Sequence, residues 1–259
     1  MPHARRDGLE LYYERAGAGE PELLFVPGWC CDTTFFQPQL DHFAASHAVA
    51  ALDPRGCGRS SVPANGYDIS TLADDIAWLC GEVGISKPVV VGHSLGAMVA
   101  IELAARHPQL PLAVVADDPG PIDPLPQTAR IYDGFAEEMA GPSGEAVRRA
   151  WVEAGAGPTA DDELRRTIVE TMCSVPLETA AAVIRDLRLW NGVAALALCE
   201  VPVLLLLSWV GRGSNEPERL RKLKPDLHVG ATVGAGHFHQ LEVPDQVNAM
   251  IERFLEVVI

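Results

Sequence analysis

A serine at position 94 has glycines two residues before and two residues after it, in the order Gly92-His93-Ser94-Leu95-Gly96. A short apolar run ends just before this segment and a run of helix-forming residues follows it, which predicts a sharp strand-to-helix turn. A serine hydroxyl is a weak nucleophile unless such a turn exposes it beside a base. Glycines at these two positions remove the Cβ atoms that would clash in the turn. The spacing therefore predicts that Ser94 is a nucleophile.

A nucleophilic serine needs a nearby proton acceptor, and the chain offers eight histidines. His237 follows a Gly-Ala-Gly turn between the last predicted strand and the last predicted helix. Loops that follow parallel strands meet at one edge of a sheet, so His237 is expected on the same edge as Ser94. We expect His93 to point away from the serine into packing, and His239 to lie in solvent or behind the site. His237 is therefore the predicted general base.

Four segments of the chain together resemble the α/β-hydrolase superfamily. They are Pro27-Gly28-Trp29, Asp53-Pro54-Arg55-Gly56-Cys57-Gly58-Arg59-Ser60, the segment around Ser94, and Gly234-Ala235-Gly236-His237-Phe238. The resemblance covers nearly the whole chain outside a helical insert. It implies a mostly parallel central sheet flanked by helices, a helical lid, and catalytic residues in the chain order serine, acid, histidine.

The acid that would orient His237 departs from the usual pattern of that superfamily. Most members carry it after the strand that follows the lid, where this chain has Gly211 and where residues 208–215 include neither Asp nor Glu. A minority carry it at the end of the preceding strand, where this chain has Asp117 and Asp118. Successive strand side chains point to opposite faces, so only one of the two reaches the histidine easily. Counting from the nucleophile without gaps favours Asp118, whereas a short gap favours Asp117.

Two backbone N–H groups are expected to hold the oxyanion of a tetrahedral intermediate. One belongs to Leu95, the residue after the nucleophile, and the other belongs to Trp29, after the first strand-ending turn. Two carboxylates are given structural roles instead. Asp53 is expected to pair with Arg55 and hold a glycine-rich loop, and Glu242 is expected to cap a helix.

These residues need a sheet edge to position them, and short apolar runs alternating with helical stripes predict such a sheet. Strands are predicted at 9–14, 23–26, 48–52, 89–91, 112–116, 202–207 and 227–233, and helices at 69–83 and from 244 onward. Helical segments dominate between 119 and 198, at 128–140, 145–154, 161–173 and 177–190. We therefore predict an α/β core of residues 1–118 and 199–259, with a helical lid at 119–198 over the strand ends.

Composition narrows the range of partners. With 259 residues, a net charge of −15 and no basic run, the chain is a poor partner for nucleic acid or for an anionic membrane. Six cysteines without paired or metal-type spacing indicate reduced thiols in a cytoplasmic protein. The N-terminal arginines precede no apolar core, so no secretory signal is expected. We expect a small-molecule substrate, no cofactor and no metal, and a homodimer is possible.

Together these features predict a serine hydrolase that cleaves a small carboxylic ester or lactone through an acyl-enzyme. Two other reactions fit the same resemblance: a cofactor-independent dioxygenase, which the Trp29 segment and the displaced acid also resemble, and a carbon–carbon bond hydrolase. A non-catalytic ligand receptor is a further alternative, because a fold does not determine a function. Trp151, Trp190 and Met139 in the lid either line an apolar pocket or pack lid helices together, and their spacing favours packing.

Overall fold

A computed structural model describes residues 2–123, 126–209 and 215–259 of the chain. Its strands are β1 (His3–Arg6), β2 (Leu9–Ala16), β3 (Leu23–Val26), β4 (Val49–Leu52), β5 (Val89–His93), β6 (Ala113–Asp117), β7 (Val203–Leu207) and β8 (His228–Ala231). They form one sheet in the order β1-β2-β4-β3-β5-β6-β7-β8. The prediction of an α/β fold with one central sheet is confirmed, and β1 is a strand that the apolar runs did not predict.

The sheet is mostly parallel. Strands β4, β3, β5, β6, β7 and β8 run in the same direction, and β2 and β1 add an antiparallel edge. Strands β3 to β7 are buried along their whole length, which explains why the sequence shows continuous apolar runs there. The register sets His93 beside Asp117 and Asp117 beside Leu206, so the carboxyl ends of β5, β6 and β7 lie level with one another.

Helices cover both faces of this sheet. The helices of the described residues are α1 (Gln37–Phe43), α2 (Ile69–Val83), α3 (Leu95–Arg106), α4 (Pro126–Met139), α5 (Gly144–Gly155), α6 (Asp162–Ser174), α7 (Leu177–Leu187), α8 (Gly192–Leu198), α9 (Pro217–Leu223), α10 (His239–Glu242) and α11 (Pro244–Val258). On one face α2, α3 and α8 pack over side chains such as Leu24, Val90 and Val114. On the other face α1 and α11 pack over Phe25 and Val91.

Helices α4 to α7 form a layer, here called the cap, that lies against the loops at the carboxyl edge of the sheet. Its apolar side chains, among them Phe135, Val152 and Ile168, share one buried cluster with Trp29 and Phe238 from those loops. Helix α8 packs against α3 and belongs to the cluster beneath it. The helices predicted between 119 and 198 therefore lie where they can enclose the strand ends, and α8 was not predicted as a separate helix.

Two further features of the described residues concern the predicted surroundings of the protein. None of its single helices is both long enough and apolar enough to cross a membrane; the pair α6 and α7, bent by 87°, passes that test together by length and composition. All six cysteines are free thiols, and five of them are buried.

The expected pairing of Asp53 with Arg55 is wrong. Arg55 donates two hydrogen bonds to Asp75 of α2, at 2.6 and 2.7 Å. Asp53 is fully buried at the end of β4 and accepts a bond from Arg59 at 2.8 Å. A turn that begins at Pro54 separates the two side chains, because it directs Arg55 toward α2 while Asp53 still points as a strand residue. Both pairs hold the glycine-rich loop, so the loop is fixed from two sides.

Candidate active site

Ser94 lies at the junction between β5 and α3. Its backbone has φ 54° and ψ −115°, a combination that residues other than glycine rarely adopt. The chain can turn so sharply only because the glycines on either side lack a Cβ. A Cβ on Gly92 would collide with the carbonyl of Gly96, and a Cβ on Gly96 would collide with the carbonyl of Val26. These close approaches explain the spacing in the sequence, and they leave Ser94 partly exposed at the sheet edge.

A continuous chain of hydrogen bonds joins Ser94, His237 and Asp118. The Ser94 Oγ lies 2.9 Å from His237 Nε2. On the other side of the ring, His237 Nδ1 lies 2.6 Å from Asp118 Oδ2. With the Nδ1 proton donated to the carboxylate, Nε2 carries the lone pair that accepts the serine hydroxyl. The fold thus brings together three side chains separated by 143 and 119 residues in the sequence.

Asp118 lies one residue beyond the end of β6, in the left-handed region at φ 43°. Its buried carboxylate accepts hydrogen bonds from the Ser208 N–H and hydroxyl as well, at 2.9 and 2.8 Å. Burial acts to raise the pKa of Asp118, but the hydrogen bond and charge of His237, the charge of His239 and the bond from the Ser208 N–H together outweigh it and lower the pKa from 3.8 to about 2. The carboxylate is therefore an anion at neutral pH and can stabilise a protonated His237.

Asp117 points to the other side of the strand end and pairs with His239. The two side chains are completely buried, with His239 Nε2 2.5 Å from Asp117 Oδ1. The other ring nitrogen lies 3.0 Å from the Thr232 hydroxyl. Burial acts to lower the pKa of His239, but the carboxylates of Asp117 and Asp118 outweigh it and raise the pKa above 6.5. Of the two places expected for His239, solvent or behind the site, the structure shows the second: the ring is buried behind the site.

His93, the residue before Ser94, is fully buried and packs against His237. Its Nε2 donates a hydrogen bond to the backbone carbonyl of His237 at 2.8 Å, and the two ring centroids are 4.7 Å apart. Burial and the neighbouring His237 lower the pKa of His93 well below 6.5, so its ring is neutral. The side chain therefore supports the loop that carries His237, and the expectation that His93 is turned into packing is confirmed.

Two backbone N–H groups next to Ser94 have no acceptor within the described part of the chain. Leu95 opens α3, where the first N–H groups of a helix have no partner inside the helix. Trp29 follows β3, and its backbone N–H makes no hydrogen bond there either. The indole Nε1 of Trp29 donates to the carbonyl of Ala180 in α7 at 3.0 Å. The cap thus fixes the tryptophan side chain and leaves its backbone N–H as a free donor.

Ser94 and His237 open into a cavity of about 290 Å³ between the cap and the sheet edge. Its walls are mainly apolar and come from α3, α5 and α7, through Met98, Trp151, Val183, Ile184 and Leu187. No Lys or Arg is among the described residues that line it. A second cavity of about 60 Å³ also touches Ser94 and His237 and is walled by Cys31, Val152, Met172 and Phe238. The site therefore offers one larger, mainly apolar space and one smaller space of mixed polarity beside a single hydroxyl.

Tyr132 of α4 lines the larger cavity and an adjoining one of about 210 Å³. Its hydroxyl has no hydrogen-bond partner among the described residues, although the ring packs edge-on against Trp151. Burial and the negative charge of Asp118 raise the pKa of Tyr132 to about 12, so the hydroxyl remains a donor at neutral pH. Tyr132 was not predicted as a site residue, because a single tyrosine in a lid helix carries no distinguishing pattern.

The lid residues singled out in the sequence have different surroundings. Trp151 lines the cavity and stacks on Phe135, with ring centroids 4.2 Å apart. Met139 is buried in the apolar cluster of the cap. Trp190 donates its indole N–H to Glu102 of α3 at 2.9 Å, and its ring lines the adjoining cavity. Met139 therefore packs lid helices together, whereas Trp151 both packs against Phe135 and lines the cavity.

The expectation that Glu242 caps a helix is wrong. Its carboxylate accepts hydrogen bonds from Gly236, next to His237, and from Gly157 and Thr159 in the cap. The helix that it was expected to cap, α11, begins with Val243 at its N-cap position and no side-chain cap. The prediction failed because two of the partners of Glu242, Gly157 and Thr159, lie more than 80 residues away in the sequence.

Gly211, the position at which the superfamily usually carries its acid, lies outside the described residues. Ser208, directly after β7, is described, and it donates to Asp118. Its place at a strand end was the signal that could have found it. Within the described ranges, no group of three or more His, Cys, Asp or Glu side chains is arranged to hold a metal ion.

Comparison with known proteins agrees with the fold. Residues 21–165, more than half of the chain, match the alpha/beta hydrolase fold family. The chain therefore belongs to the alpha/beta hydrolase family, as its motifs had indicated.

Two curated relatives and one solved structure illustrate the similarity. The dihydrolipoyllysine-residue acetyltransferase component of the acetoin cleaving system of Cupriavidus necator is 28% identical over 96% of this chain and 67% of that protein. The 2-(acetamidomethylene)succinate hydrolase of Mesorhizobium japonicum is 29% identical over 96% of this chain and 92% of the relative. The enol-lactonase from Burkholderia xenovorans LB400 superposes with a TM-score of 0.85 at 19% identity, covering 98% of this chain and 100% of the other. At that identity the structural likeness concerns the fold alone.

Proposed function

We propose that this protein is a serine hydrolase that cleaves a small, uncharged carboxylic ester or lactone through an acyl-enzyme on Ser94. The observation that carries the proposal is the hydrogen-bonded chain from Ser94 through His237 to the Asp118 carboxylate, at 2.9 and 2.6 Å. This chain opens into an apolar cavity large enough for a small molecule. The 2-(acetamidomethylene)succinate hydrolase among the curated relatives supports a hydrolytic reaction.

The first half of the reaction forms the acyl-enzyme. Ser94 Oγ attacks the carbonyl carbon of the substrate while its proton moves to His237 Nε2. Asp118 keeps the proton on His237 Nδ1 and stabilises the imidazolium ion. The negative charge on the carbonyl oxygen is held by the N–H groups of Trp29 and Leu95. When the tetrahedral intermediate collapses, the carbon–oxygen bond breaks and His237 gives its proton to the leaving alcohol.

The second half repeats these steps with water. A water molecule loses a proton to His237 Nε2 and attacks the acyl carbon, and the oxyanion again accepts hydrogen bonds from Trp29 and Leu95. Collapse of the second intermediate breaks the bond to Ser94 Oγ, which takes the proton back from His237. The carboxylic acid product then leaves, and the hydrogen-bonded chain is restored.

The cavity favours small, uncharged substrates. A volume of about 290 Å³ is at the lower end for ligand sites, and the smaller space of about 60 Å³ holds only a few non-hydrogen atoms. A substrate carboxylate would find no Lys or Arg among the described lining residues and would face the Asp118 anion instead. An apolar ester with a short group on one side of the scissile bond fits both spaces.

Tyr132→Phe is expected to separate substrates that carry a second oxygen from those that do not. The free hydroxyl can donate a hydrogen bond to such an oxygen, and losing that bond costs about 1 kcal/mol, or roughly fivefold in KM. We expect this loss with a 3-oxoacyl ester and none with its saturated counterpart. Tyr13→Phe on β2, remote from the cavity, is the matched control. Equal KM ratios for both esters would show that Tyr132 does not contact the substrate.

The proposed reaction is tested by labelling and turnover together. A fluorophosphonate should modify Ser94, located by peptide mass spectrometry, and short p-nitrophenyl esters or small lactones should be hydrolysed. The same label on Ser94→Ala protein is the control for specificity. Folded protein that neither reacts with the phosphonate nor turns over any ester would exclude the acyl-enzyme mechanism.

A cofactor-independent dioxygenase is the second candidate, because the acid at the end of β6 paired with His237 suits proton abstraction from an aromatic hydroxyl. In that reaction the histidine acts as a base and Ser94 forms no acyl-enzyme. Oxygen uptake with a quinolone-like substrate, retained in Ser94→Ala and lost in His237→Ala, would favour this candidate over the hydrolase.

A further inference from the structure

The loop that carries His237 is bonded to the cap as well as to the sheet. The backbone N–H of His237 donates to the carbonyl of Gly155, at the end of α5, with a distance of 2.7 Å. The general base of the proposed reaction is therefore held at its own backbone by a residue of the cap. Trp29 is held similarly, through its indole N–H and the carbonyl of Ala180.

A single carboxylate joins the two loops beside this bond. Glu242 accepts hydrogen bonds from the N–H of Gly236 at 3.0 and 3.1 Å, from the N–H of Gly157 at 3.0 Å, and from the Thr159 hydroxyl at 2.7 Å. Hydrogen bonds to an ionised acceptor are about twice as strong as those between neutral groups. Because Gly236 precedes His237 and the other two donors belong to the cap, Glu242 ties the cap directly to the catalytic loop.

The cap loop is itself fixed from its other side. Arg165 of α6 donates from its guanidinium to the backbone carbonyls of Ala156, Gly157 and Ala160. The loop of residues 155–160 is thus held between Arg165 in the cap and Glu242 in the core. It cannot move away from the sheet edge without breaking bonds on one of these sides.

Backbone packing between the loops is close enough to require glycine. A Cβ added to Gly157 would overlap the backbone N and Cα of Gly236, and a Cβ added to Gly236 would overlap the backbone of Gly157. Two backbone segments approach this closely only where neither residue carries a side chain. The contact between the two loops therefore requires glycine at positions 157 and 236, in addition to the hydrogen bonds that Glu242 accepts.

We propose that Glu242 is a positioning residue for His237 and that the cap loop 155–160 is a fixed part of the catalytic site, not a lid that swings clear of it. His237 follows two glycines in three residues, so its loop has little stiffness of its own. Proton transfer needs the ring within hydrogen-bond reach of Ser94, and a displacement of about 1 Å can cost 100-fold in rate. The inference rests on the proposed function, in which His237 is the base.

Glu242→Gln tests the carboxylate with little change in size. An amide offers one acceptor oxygen and turns an NH₂ group toward N–H donors, so the loops should lose part of their attachment. We expect kcat for a short ester to fall about 10-fold to 100-fold while KM changes less than about twofold. Glu252→Gln on α11, an exposed glutamate bonded to His42, is the matched control and should keep wild-type kinetics.

Gly157→Ala tests the close approach without removing any charged group; the added Cβ would meet the backbone N of Gly236 and, at 2.6 Å, the Glu242 carboxylate. The added Cβ must push the two loops apart, so kcat should fall at least about 10-fold. Gly134→Ala in α4 is the matched control, because a Cβ there meets no atom within 4 Å. It should leave kcat unchanged and, as a glycine replaced within a helix, should not lower the melting temperature.

Hydrogen exchange separates this inference from the proposed function. Both Glu242→Gln and Gly157→Ala should speed exchange in the peptide that contains residues 234–238, whether or not the protein hydrolyses esters. If wild-type protein hydrolyses no ester but both variants still exchange faster than wild type in this peptide, the proposed function is overturned and the attachment stands. Unchanged exchange in both variants, or kcat within about twofold of wild type in both, would overturn the positioning role of Glu242.

Discussion

Ser94→Ala is expected to lower kcat/KM for a short ester by about 10⁵-fold, because removal of the nucleophile from a serine–histidine–acid site removes the acyl-enzyme route. The slow reaction that remains would reflect the cavity and the two backbone donors. The melting temperature should stay close to wild type, because alanine keeps the Cβ and the backbone of the turn. Ser46→Ala, an exposed serine far along the chain, is the control for handling and folding.

Ser94→Gly should be equally inactive but more stable than wild type. The serine backbone is held at φ 54°, where a Cβ costs about 1 kcal/mol or more, and glycine adopts that region freely. A gain of this size should raise the melting temperature by about 2–4 °C. A fall in melting temperature for Ser94→Gly would contradict the assignment of strain to this turn, whereas activity near wild type in either variant would contradict the nucleophile.

Asp118→Asn is expected to lower kcat by about 10³-fold to 10⁴-fold, because an amide no longer holds His237 in the tautomer with a proton on Nδ1. The variant should also lose stability. Since the folded-state pKa of Asp118 is about 2 and the ordinary value is 3.8, the ionised carboxylate contributes about 2 kcal/mol above pH 3.8, and this contribution is lost as the pH falls through 2. At neutral pH the variant should therefore melt at a lower temperature than wild type.

Asp117→Asn is expected to lower stability more than activity. It leaves the bonded chain of Ser94, His237 and Asp118 intact, so kcat should fall less than about tenfold. It breaks a fully buried ion pair with His239, which typically costs about 3 kcal/mol.

The pH dependence of that loss follows from the sign of the His239 shift. The folded-state pKa of His239 is raised, so the protonated ring contributes stability fully below 6.5 and loses it as the pH rises through the raised value. The difference in melting temperature between wild type and Asp117→Asn should therefore be largest below pH 6.5 and shrink above it. A 10³-fold loss of kcat in Asp117→Asn, with Asp118→Asn near wild type, would assign the acid to Asp117 instead.

Most of the fold could be predicted from local patterns. Apolar runs located seven of the eight described strands, and the stripe from Ile69 to Val83 located α2 at its observed bounds. Elements without such a pattern were missed: β1 carries charged residues at the sheet edge, and α1, α8 and α9 are each seven residues long. Short elements are held by packing against neighbours, which leaves too few residues for a periodic signal.

The side-chain pairings of the site were harder to predict than its elements. The pattern around Ser94 and the loop before His237 are local in sequence, because each depends on glycines that a turn requires. The pairing of Asp53 with Arg59, and of Arg55 with Asp75, depends on how one turn directs adjacent side chains. Nothing in the spacing of these residues distinguishes the observed partners from the expected ones.

The amino-acid sequence by itself determined that this chain forms a parallel sheet with an exposed serine turn and a histidine loop at the same edge, since hydrophobic periodicity and glycine placement are properties of neighbouring residues. Only the tertiary structure decided that Asp118 contacts His237 while Asp117 is buried with His239. That choice depends on a left-handed residue just past a strand end, and on the level at which neighbouring strands stop. The attachment of the cap through Glu242 was likewise decided by contacts between segments about 80 residues apart in the chain.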